Sequence, residues 1–493
     1  MITWGVSAGG HDAALAVLRD GEITWAAHSE RFSRTKNDPA LSRGLISAAL
    51  TAGEPDAIVW HEKPWQKRAR ELWAGQYGDA FGSGPRALLR EHLLHDIPLR
   101  TVGHHHSHAA AGYYTSGFDH AAVLVVDAIG EWDTTTLWEG RDDRLKCVAR
   151  ATYPNSLGLF YTAMTDRCGF KPNEEEYIMM GLAAYGDPDE YRELITDELI
   201  RPTKTWPYYQ CLVNMHRGIR WWHPEIEDTA ALAAAAQAVF NDIMFRLSSH
   251  ARGIFETNLV LAGGCALNCV TNGDLARKGL WDKIWIMPNP GDAGNSLGAA
   301  LAHHGKRVPW TGPYLGSNIQ GSYPINKLLS VLQMGQIVGV ANGRAEFGPR
   351  ALGNRSLLGD AQDPDIKAKM NAAKKREPFR PFAPVVKAEA ANSYFDLRGL
   401  YRQQSSYMQF VAQCRFPGTF PGICHVDGTS RVQTVSRDQH QALWTLLDRW
   451  ERISGHPILV NTSLNIKGQP LVNTEADAAA FEAEYGIPVF CRD

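Results

Sequence analysis

The chain has 493 residues, 44% of them apolar and 21% charged, with a formal net charge of −3. That length exceeds what one hydrophobic core serves, so two or more domains are expected, and the composition excludes a disordered, collagenous or coiled-coil protein. The small net charge gives no global steering toward nucleic acid and leaves only a local basic groove for such contact.

The expected elements alternate strands with helices. Residues 3–6 and 13–18 flank a glycine turn, and Asp20-Gly21 leads into 22–27, the pattern of a hairpin that opens a sheet. A short strand is expected at 57–60 and a small-residue helix at 104–114, closed by Gly117. The β-rich run 121–126 ends at Asp127, as a buried strand with a carboxylate at its tip would. An alanine-rich helix is expected at 229–240, and strands at 258–261 and 284–287. Residues 305–317, with Pro309, Gly312, Pro313 and Gly316, read as a linker. Beyond it the pattern restarts with a strand at 336–340, a helix at 441–453 and a strand at 457–460. This alternation predicts an α/β protein. No internal repeat, low-complexity tract or heptad pattern is visible. The apolar runs 121–126 and 230–236 fall far short of the ~20 residues of a membrane span, and no charged region precedes an apolar stretch at the N-terminus. Eight cysteines without a C-x-x-C pair are too few for a disulfide framework. Cys265 and Cys269 read as buried thiols, and a cytoplasmic, reduced protein is the expectation.

Three constellations carry chemistry. The first is Gly103-His104-His105-His106-Ser107-His108. On a helix His104 and His108 lie one turn apart on one face, the spacing that clamps a metal between two imidazoles. Asp127 and Asp292 are the candidate carboxylates, and such a set suits iron, manganese or zinc better than calcium. The second is the glycine-rich stretch 261–268 after a strand, joined by a second glycine turn at 291–298. Such turns let backbone N–H groups approach phosphates, although neither matches a Walker loop or the dinucleotide fingerprint. The third is the basic stretch 343–384, with nine Lys or Arg against five Asp or Glu between Arg344 and Arg380. Guanidinium groups held among glycine and proline turns suit phosphate or carboxylate oxygens, and Arg431 is a further candidate. A solvated charged face is the plain alternative.

These residues, taken in order, resemble the O-carbamoyltransferases of the nodulation, cephamycin and tobramycin type. The matching motifs are Gly9-Gly-His11-Asp12-Ala-Ala, His104-His-His-Ser-His108-Ala-Ala, Val125-Val-Asp127, Tyr177-Ile-Met-Met-Gly-Leu-Ala-Ala-Tyr-Gly186 and Ala262-Gly-Gly-Cys-Ala-Leu-Asn268. They continue with Gly291-Asp292-Ala-Gly, Gly348-Pro-Arg-Ala-Leu-Gly-Asn-Arg-Ser356, Arg376-Glu-Pro-Phe-Arg-Pro-Phe-Ala-Pro384, His425-Val-Asp-Gly-Thr-Ser-Arg431 and Val460-Asn-Thr-Ser463.

The resemblance implies an N-terminal actin-like ATPase (ASKHA) fold domain over 1–305, a linker over 306–317 and a C-terminal YrdC-like α/β domain over 318–493. It implies ATP and carbamoyl phosphate as substrates, carbamoyl adenylate as the intermediate, and a divalent metal (iron, manganese or magnesium) at His104, His108, Asp127 and Asp292. Adenylate contacts are implied at Gly158, Gly263, Gly264, Asn268, Gly291 and Gly294. Carbamoyl phosphate contacts are implied at Arg350, Lys374, Arg376, Arg380, Arg431, Asn461 and Ser463. A hydroxyl acceptor needs a base. His11, beside Asp12, is the first choice and His105 the alternative.

Three positions depart from the family pattern. Ile178 stands where Lys is expected, and Leu464 and Gln469 where Phe and Glu are commoner. The chain is also short for the family, so a more open acceptor site is expected. Aromatics with interleaved bases at 60–70, and the aromatics of 206–209 and 221–222, would stack on sugars or bases. Candidate acceptors are an antibiotic sugar, a nucleoside or 5-hydroxymethylcytosine in DNA. Threonylcarbamoyl transfer to tRNA and a non-carbamoylating ATP-binding protein of the same fold are the rival readings. The module from Arg350 to Arg431 argues against the first rival, and the four-histidine helix against the second.

Overall fold

The computed structural model describes every residue except 83, 93, 95, 256–257 and 377–379. Glu377, Pro378 and Phe379 of the basic stretch therefore lie outside the described residues. The chain divides into two compact units, and both mix helices with sheets.

The first unit comprises Met1–Ser29, Asn37–Leu275 and Gly279–Trp310. It holds two five-stranded sheets built on one plan. In the first, Glu22–His28, Ala14–Arg19 and Ile2–Ser7 form an antiparallel meander, and Ala57–Trp60 and Leu99–Thr101 extend it in parallel. In the second, Arg144–Thr152, Asp133–Arg141 and His120–Val126 form the meander, and Asn258–Ala262 and Lys283–Ile286 extend it. The sequence shows no repeat, because the shared feature is strand pairing and not residue identity. The hairpin turn falls where expected, with Asp20 at φ 49° and Gly21 at φ 88°, the left-handed pair that matches strand twist.

The histidine helix spans His104–Ser116 and is buried over almost its whole length. Asn295–His304 packs on it backbone to backbone: a Cβ at Gly298 would lie 2.0 Å from the Ser107 carbonyl oxygen. The alanine-rich helix runs further than expected, over Thr229–Ile254. The apolar side chains Val239, Phe240, Ile243, Met244 and Leu247 bury its C-terminal half. Among the described residues no helix is long and apolar enough to cross a membrane.

The second unit comprises Glu30–Lys36, Ala276–Lys278 and Thr311–Asp493. Its six-stranded mixed sheet runs Gln433–Val435, Ala383–Lys387, Ile458–Ser463, Arg355–Asp360, Val338–Ala341 and Val489–Phe490. Alternate residues serve opposite faces. Val385 and Leu459 join Leu328, Leu332, Leu443 and Leu447 of the helices Ile325–Gln333 and Gln441–Ser454, while Val386, Ile458 and Val460 face Ile366, Met370 and Phe420. The stretch expected to be linker ends in regular structure, since Tyr314–Ile319 pairs with Gly343–Glu346. Its Pro and Gly content hides a strand whose Leu315 and Ile319 are buried. All eight cysteines are free thiols, and Cys265 and Cys269 are buried.

Candidate metal centre and anion pocket

The one-turn spacing of His104 and His108 brings their Nε2 atoms within 3.1 Å. The tip of the strand His120–Val126 adds Asp127, whose Oδ2 lies 3.0 Å from His104 Nε2 and 3.2 Å from His108 Nε2. The turn before Asn295–His304 adds Asp292, with Oδ1 at 3.3 and 3.4 Å from the same nitrogens. One ligand atom from each of the four residues lies within 4.8 Å of the others. Separations of 3.0–3.4 Å match the edges of a tetrahedron with metal–ligand bonds of ~2.0–2.1 Å. The four residues fit a divalent transition metal on donor chemistry and spacing alike.

Their electrostatics ask for a cation. Burial opposes charge on His104 and His108, yet the carboxylates of Asp127 and Asp292 outweigh it and hold both rings above the ordinary histidine range. Burial likewise opposes charge on Asp127 and Asp292, and the two histidines outweigh it. A metal ion answers the same demand as those protons.

Several supports have no signature in residue spacing. Glu131 accepts from the His104 backbone N–H with both oxygens, at 3.0 and 3.2 Å, and from the Lys63 N–H at 2.7 Å. It thus caps the histidine helix, where a carboxylate also meets the positive end of the helix dipole. Asn295 places Nδ2 3.0 Å from His108 Nε2, and Gly264 N–H donates to Asp127 Oδ1 at 3.0 Å. Burial lowers His61 to about 4, and its ring centroid lies 5.5 Å from that of His104.

The two candidate bases differ in environment. His11 is partly exposed, with Nδ1 3.0 Å from Asp12 Oδ2. Burial opposes its charge, but the Asp12 bond and charge outweigh it and raise His11 to about 9. His105 is buried, with Nδ1 2.9 Å from Thr136 Oγ1, and burial followed by the nearby His104 charge holds it neutral.

The glycines expected at an adenylate serve close backbone approaches. A Cβ at Gly158 would lie 2.5 Å from Ala128 N, at Gly263 2.2 Å from Val126 O, and at Gly294 1.9 Å from Asn289 O. Gly263 also needs its φ of 88°. Gly291 is open by comparison, its nearest neighbour Leu267 at 3.9 Å. The Asn268 side chain accepts from Thr271 N–H and bonds Gln237, which commits it to the fold.

In the second unit Lys374 is 4% exposed and donates to Ser463 O, to Asn465 Oδ1 at 3.0 Å and to Ser463 Oγ at 3.4 Å. Burial lowers it well below the ordinary lysine range, with Arg376 and Arg380 adding to the effect. Arg376 Nη2 reaches Ser463 Oγ at 3.4 Å. Asn461, two residues earlier on the same strand face, donates to Ala351 O and Gln433 Oε1, and its Oδ1 is buried without a partner among the described residues. Arg431 has a buried Nε without a partner among the described residues, and Arg350 adjoins Ala351 in sequence. Lys374 is therefore no part of a solvated charged face, whereas Lys369 and Lys375 of the same stretch are exposed. Arg355 has a different part: fully buried, it donates to the carbonyls of Asn342, Gly343, Asn354, Ser317 and Asn473 and staples the fold.

The aromatic stretches divide by exposure. Trp65, Trp73, Tyr77 and Phe81 are all more than 60% exposed. Trp60 and Trp222 are buried, and Trp206 and Tyr208 pack on His250. The departures Ile178 and Leu464 are buried, which suits their apolar character.

Comparison with known proteins bears on the family of the chain. Residues 60–301 match the family described as carbamoyltransferase N-terminus, and residues 329–491 the one described as carbamoyltransferase C-terminus. The protein sll1178 of Synechocystis is 35% identical, over 96% of this chain and 93% of its own length. Nodulation protein NolNO of Sinorhizobium fredii is 33% identical, over 95% of this chain and 76% of its own. The 3'-hydroxymethylcephem-O-carbamoyltransferase of Amycolatopsis lactamdurans is 26% identical, over 97% and 96%. With both family halves matched in order, the chain belongs to the carbamoyltransferase family.

Proposed function

We propose that the protein is an ATP-dependent O-carbamoyltransferase that works in two stages. In this reading the second unit is a YrdC-like domain and the first unit an actin-like ATPase-fold domain. The twice-used strand plan of the first unit supports the latter assignment. Water first cleaves carbamoyl phosphate to carbamate and phosphate. A carbamate oxygen then attacks the α-phosphorus of ATP, giving carbamoyl adenylate and pyrophosphate. In the second stage an acceptor hydroxyl attacks the carbamoyl carbon, and AMP leaves.

The observation that carries the reading is Lys374, a buried ammonium whose partners are neutral oxygens and whose charged neighbours are guanidinium groups. Such a group calls for an anion, and carbamoyl phosphate is a small dianion. Arg350, Arg376, Arg380 and Arg431 supply charge-assisted donors, while Asn461 and Ser463 orient the carbamoyl end. His104, His108, Asp127 and Asp292 would hold a divalent ion (iron, manganese or magnesium) that offsets the phosphate charge of the adenylate. Asp12 holds His11 by Nδ1, which leaves Nε2 to take the acceptor proton. Gly263, Gly264 and Gly291 line the adenylate.

The acceptor is an antibiotic sugar, a nucleoside or 5-hydroxymethylcytosine in DNA. The exposed face of Pro64–Trp73 supports an acceptor with a ring to stack, and Lys67 Nζ lies 3.8 Å from where a Cβ of Gly10 would stand, one residue before His11. Incubation with ATP and carbamoyl phosphate tests the reading. Pyrophosphate and phosphate are expected together, with a mass gain of one HNCO on a hydroxyl compound. Release of ADP alone would overturn it.

A further inference from the structure

One buried guanidinium in the second unit lies outside the basic stretch. Arg31, in the short helix Glu30–Ser33, is 4% exposed. Its Nη2 donates to the Gly348 carbonyl at 2.8 Å across 317 positions of sequence, and its Nε lies 3.3 Å from Glu30 Oε1. Its Nη1 is buried with no hydrogen-bond partner among the described residues. An open N–H on a buried charge is costly, so it marks a place where a ligand oxygen completes the structure.

Two other open atoms are tied to the same loop through hydrogen bonds and chain neighbours. Gly348 begins the run Gly348-Pro349-Arg350-Ala351, and the Ala351 carbonyl accepts from Asn461 Nδ2 at 3.2 Å. The second hydrogen of that amide goes to Gln433 Oε1 at 2.6 Å, which fixes its orientation and leaves Asn461 Oδ1 open. Arg431, two residues before Gln433, holds its open Nε. The open set is donor atoms on two guanidinium groups and one amide acceptor. Carbamoyl phosphate presents the complement: acceptor oxygens on the phosphate and a donor NH2 on the carbamoyl group.

We propose that Arg31 completes the carbamoyl phosphate pocket of the second unit, with Nη1 donating to an anionic oxygen of the ligand while Nη2 stays on Gly348. This rests on the reading of the second unit as the carbamoyl phosphate site. A contrast is close at hand in Arg34, whose Nη1 and Nη2 donate to the Leu471 and Pro470 carbonyls and whose Nε faces Asp477 at 3.5 Å. Arg34 holds the segment in place, whereas Arg31 reaches one carbonyl and keeps a donor to spare.

The test uses the full chain, with pyrophosphate release at saturating ATP and varied carbamoyl phosphate. Arg31→Gln keeps an N–H for Gly348 but loses the charge, and its KM for carbamoyl phosphate is expected to rise about 10- to 100-fold, the worth of one charge-assisted bond. The KM for ATP should stay near that of the wild type. Arg34→Gln should lower the melting temperature and leave the carbamoyl phosphate KM unchanged. A wild-type KM in Arg31→Gln, or an equal rise in Arg34→Gln, would overturn the role of Arg31. Should Arg31→Gln fail to fold, a crystal of the wild type soaked with carbamoyl phosphate decides: Nη1 beyond hydrogen-bond reach of the ligand sinks the proposal. A wild type that releases no pyrophosphate from carbamoyl phosphate fails differently, because it removes the reading beneath.

Discussion

The histidine–aspartate cage of the first unit and the cationic pocket of the second face the same problem with opposite signs. In the cage, imidazole and carboxylate ligand atoms approach one another to 3.0–3.4 Å, a set suited to a cation. In the pocket, Lys374 and the guanidinium groups present donors suited to an anion. They are also built differently. The cage draws its histidines from one helix turn, Asp127 from a strand tip where its carboxylate accepts from Gly264 N–H, and Asp292 from the turn before a helix. The pocket draws Arg31, Lys374, Arg431 and Asn461 from four distant segments of chain. A local motif thus forms one site and long-range sheet pairing the other, and substitutions should injure them in different ways.

The largest effect is expected at the cage. His108→Ala or Asp127→Asn should abolish metal binding and cut carbamoyl transfer about 100- to 1000-fold, as loss of several kcal/mol of charge stabilisation would. Metal content by mass spectrometry and single-turnover transfer measure it, and full occupancy with normal turnover would undo the assignment.

Next comes the pocket. Arg380→Ala and Arg431→Ala should each lose roughly 30- to 1000-fold in efficiency for carbamoyl phosphate. Both should transfer normally from preformed carbamoyl adenylate, since the damaged step lies upstream. Equal losses with both donors would erase the division of labour between the sites.

A smaller loss is expected at Glu131, which touches no reacting atom. Glu131→Ala should weaken metal affinity about 10- to 100-fold, and Glu131→Gln, which keeps one oxygen for the His104 N–H, should restore much of it. Chelator competition reads this directly, and equal affinity in all three proteins would make Glu131 a mere structural cap.

The mildest change is one of pH. Because Asp12 and its companions raise His11 to about 9, transfer should climb with pH toward about 9 and level off above it, as the ring loses its proton. Asp12→Asn removes a charge that favours the protonated ring, so the rising limb should shift to lower pH. A limb that stays in place would separate His11 from the proton transfer.

Much of this was legible in the residues, and the limits have physical causes. The helix from His104 and the strand ending at Asp127 follow from local pattern: small residues closed by Gly117, and a β-branched run with a polar tip. Glu131 left no trace because it works on backbone N–H groups, which every residue carries. Arg31 escaped because its partner lies 317 positions away. Arg355 lies in the same basic stretch, but its Nη1 and Nη2 donate to main-chain carbonyls, a distinction that only the folded chain draws. The strand at Tyr314–Ile319 was hidden by its own Gly316 and by Pro309, Gly312 and Pro313 just before it.

The missing side chain at Gly298 sets a dimension. Asp292 and Asn295 enter the cage from one side of the contact with Ser107, and the two histidines from the other. With the Ser107 main chain and the Ala111 Cβ as the atoms nearest to Gly298, the gap between the two halves is gauged by van der Waals radii, which rotamer changes do not alter. Such a ruler would favour an ion with bonds of ~2.0–2.1 Å over calcium, which takes 2.3–2.6 Å. A single methyl group at position 298 would recalibrate it without touching a ligand.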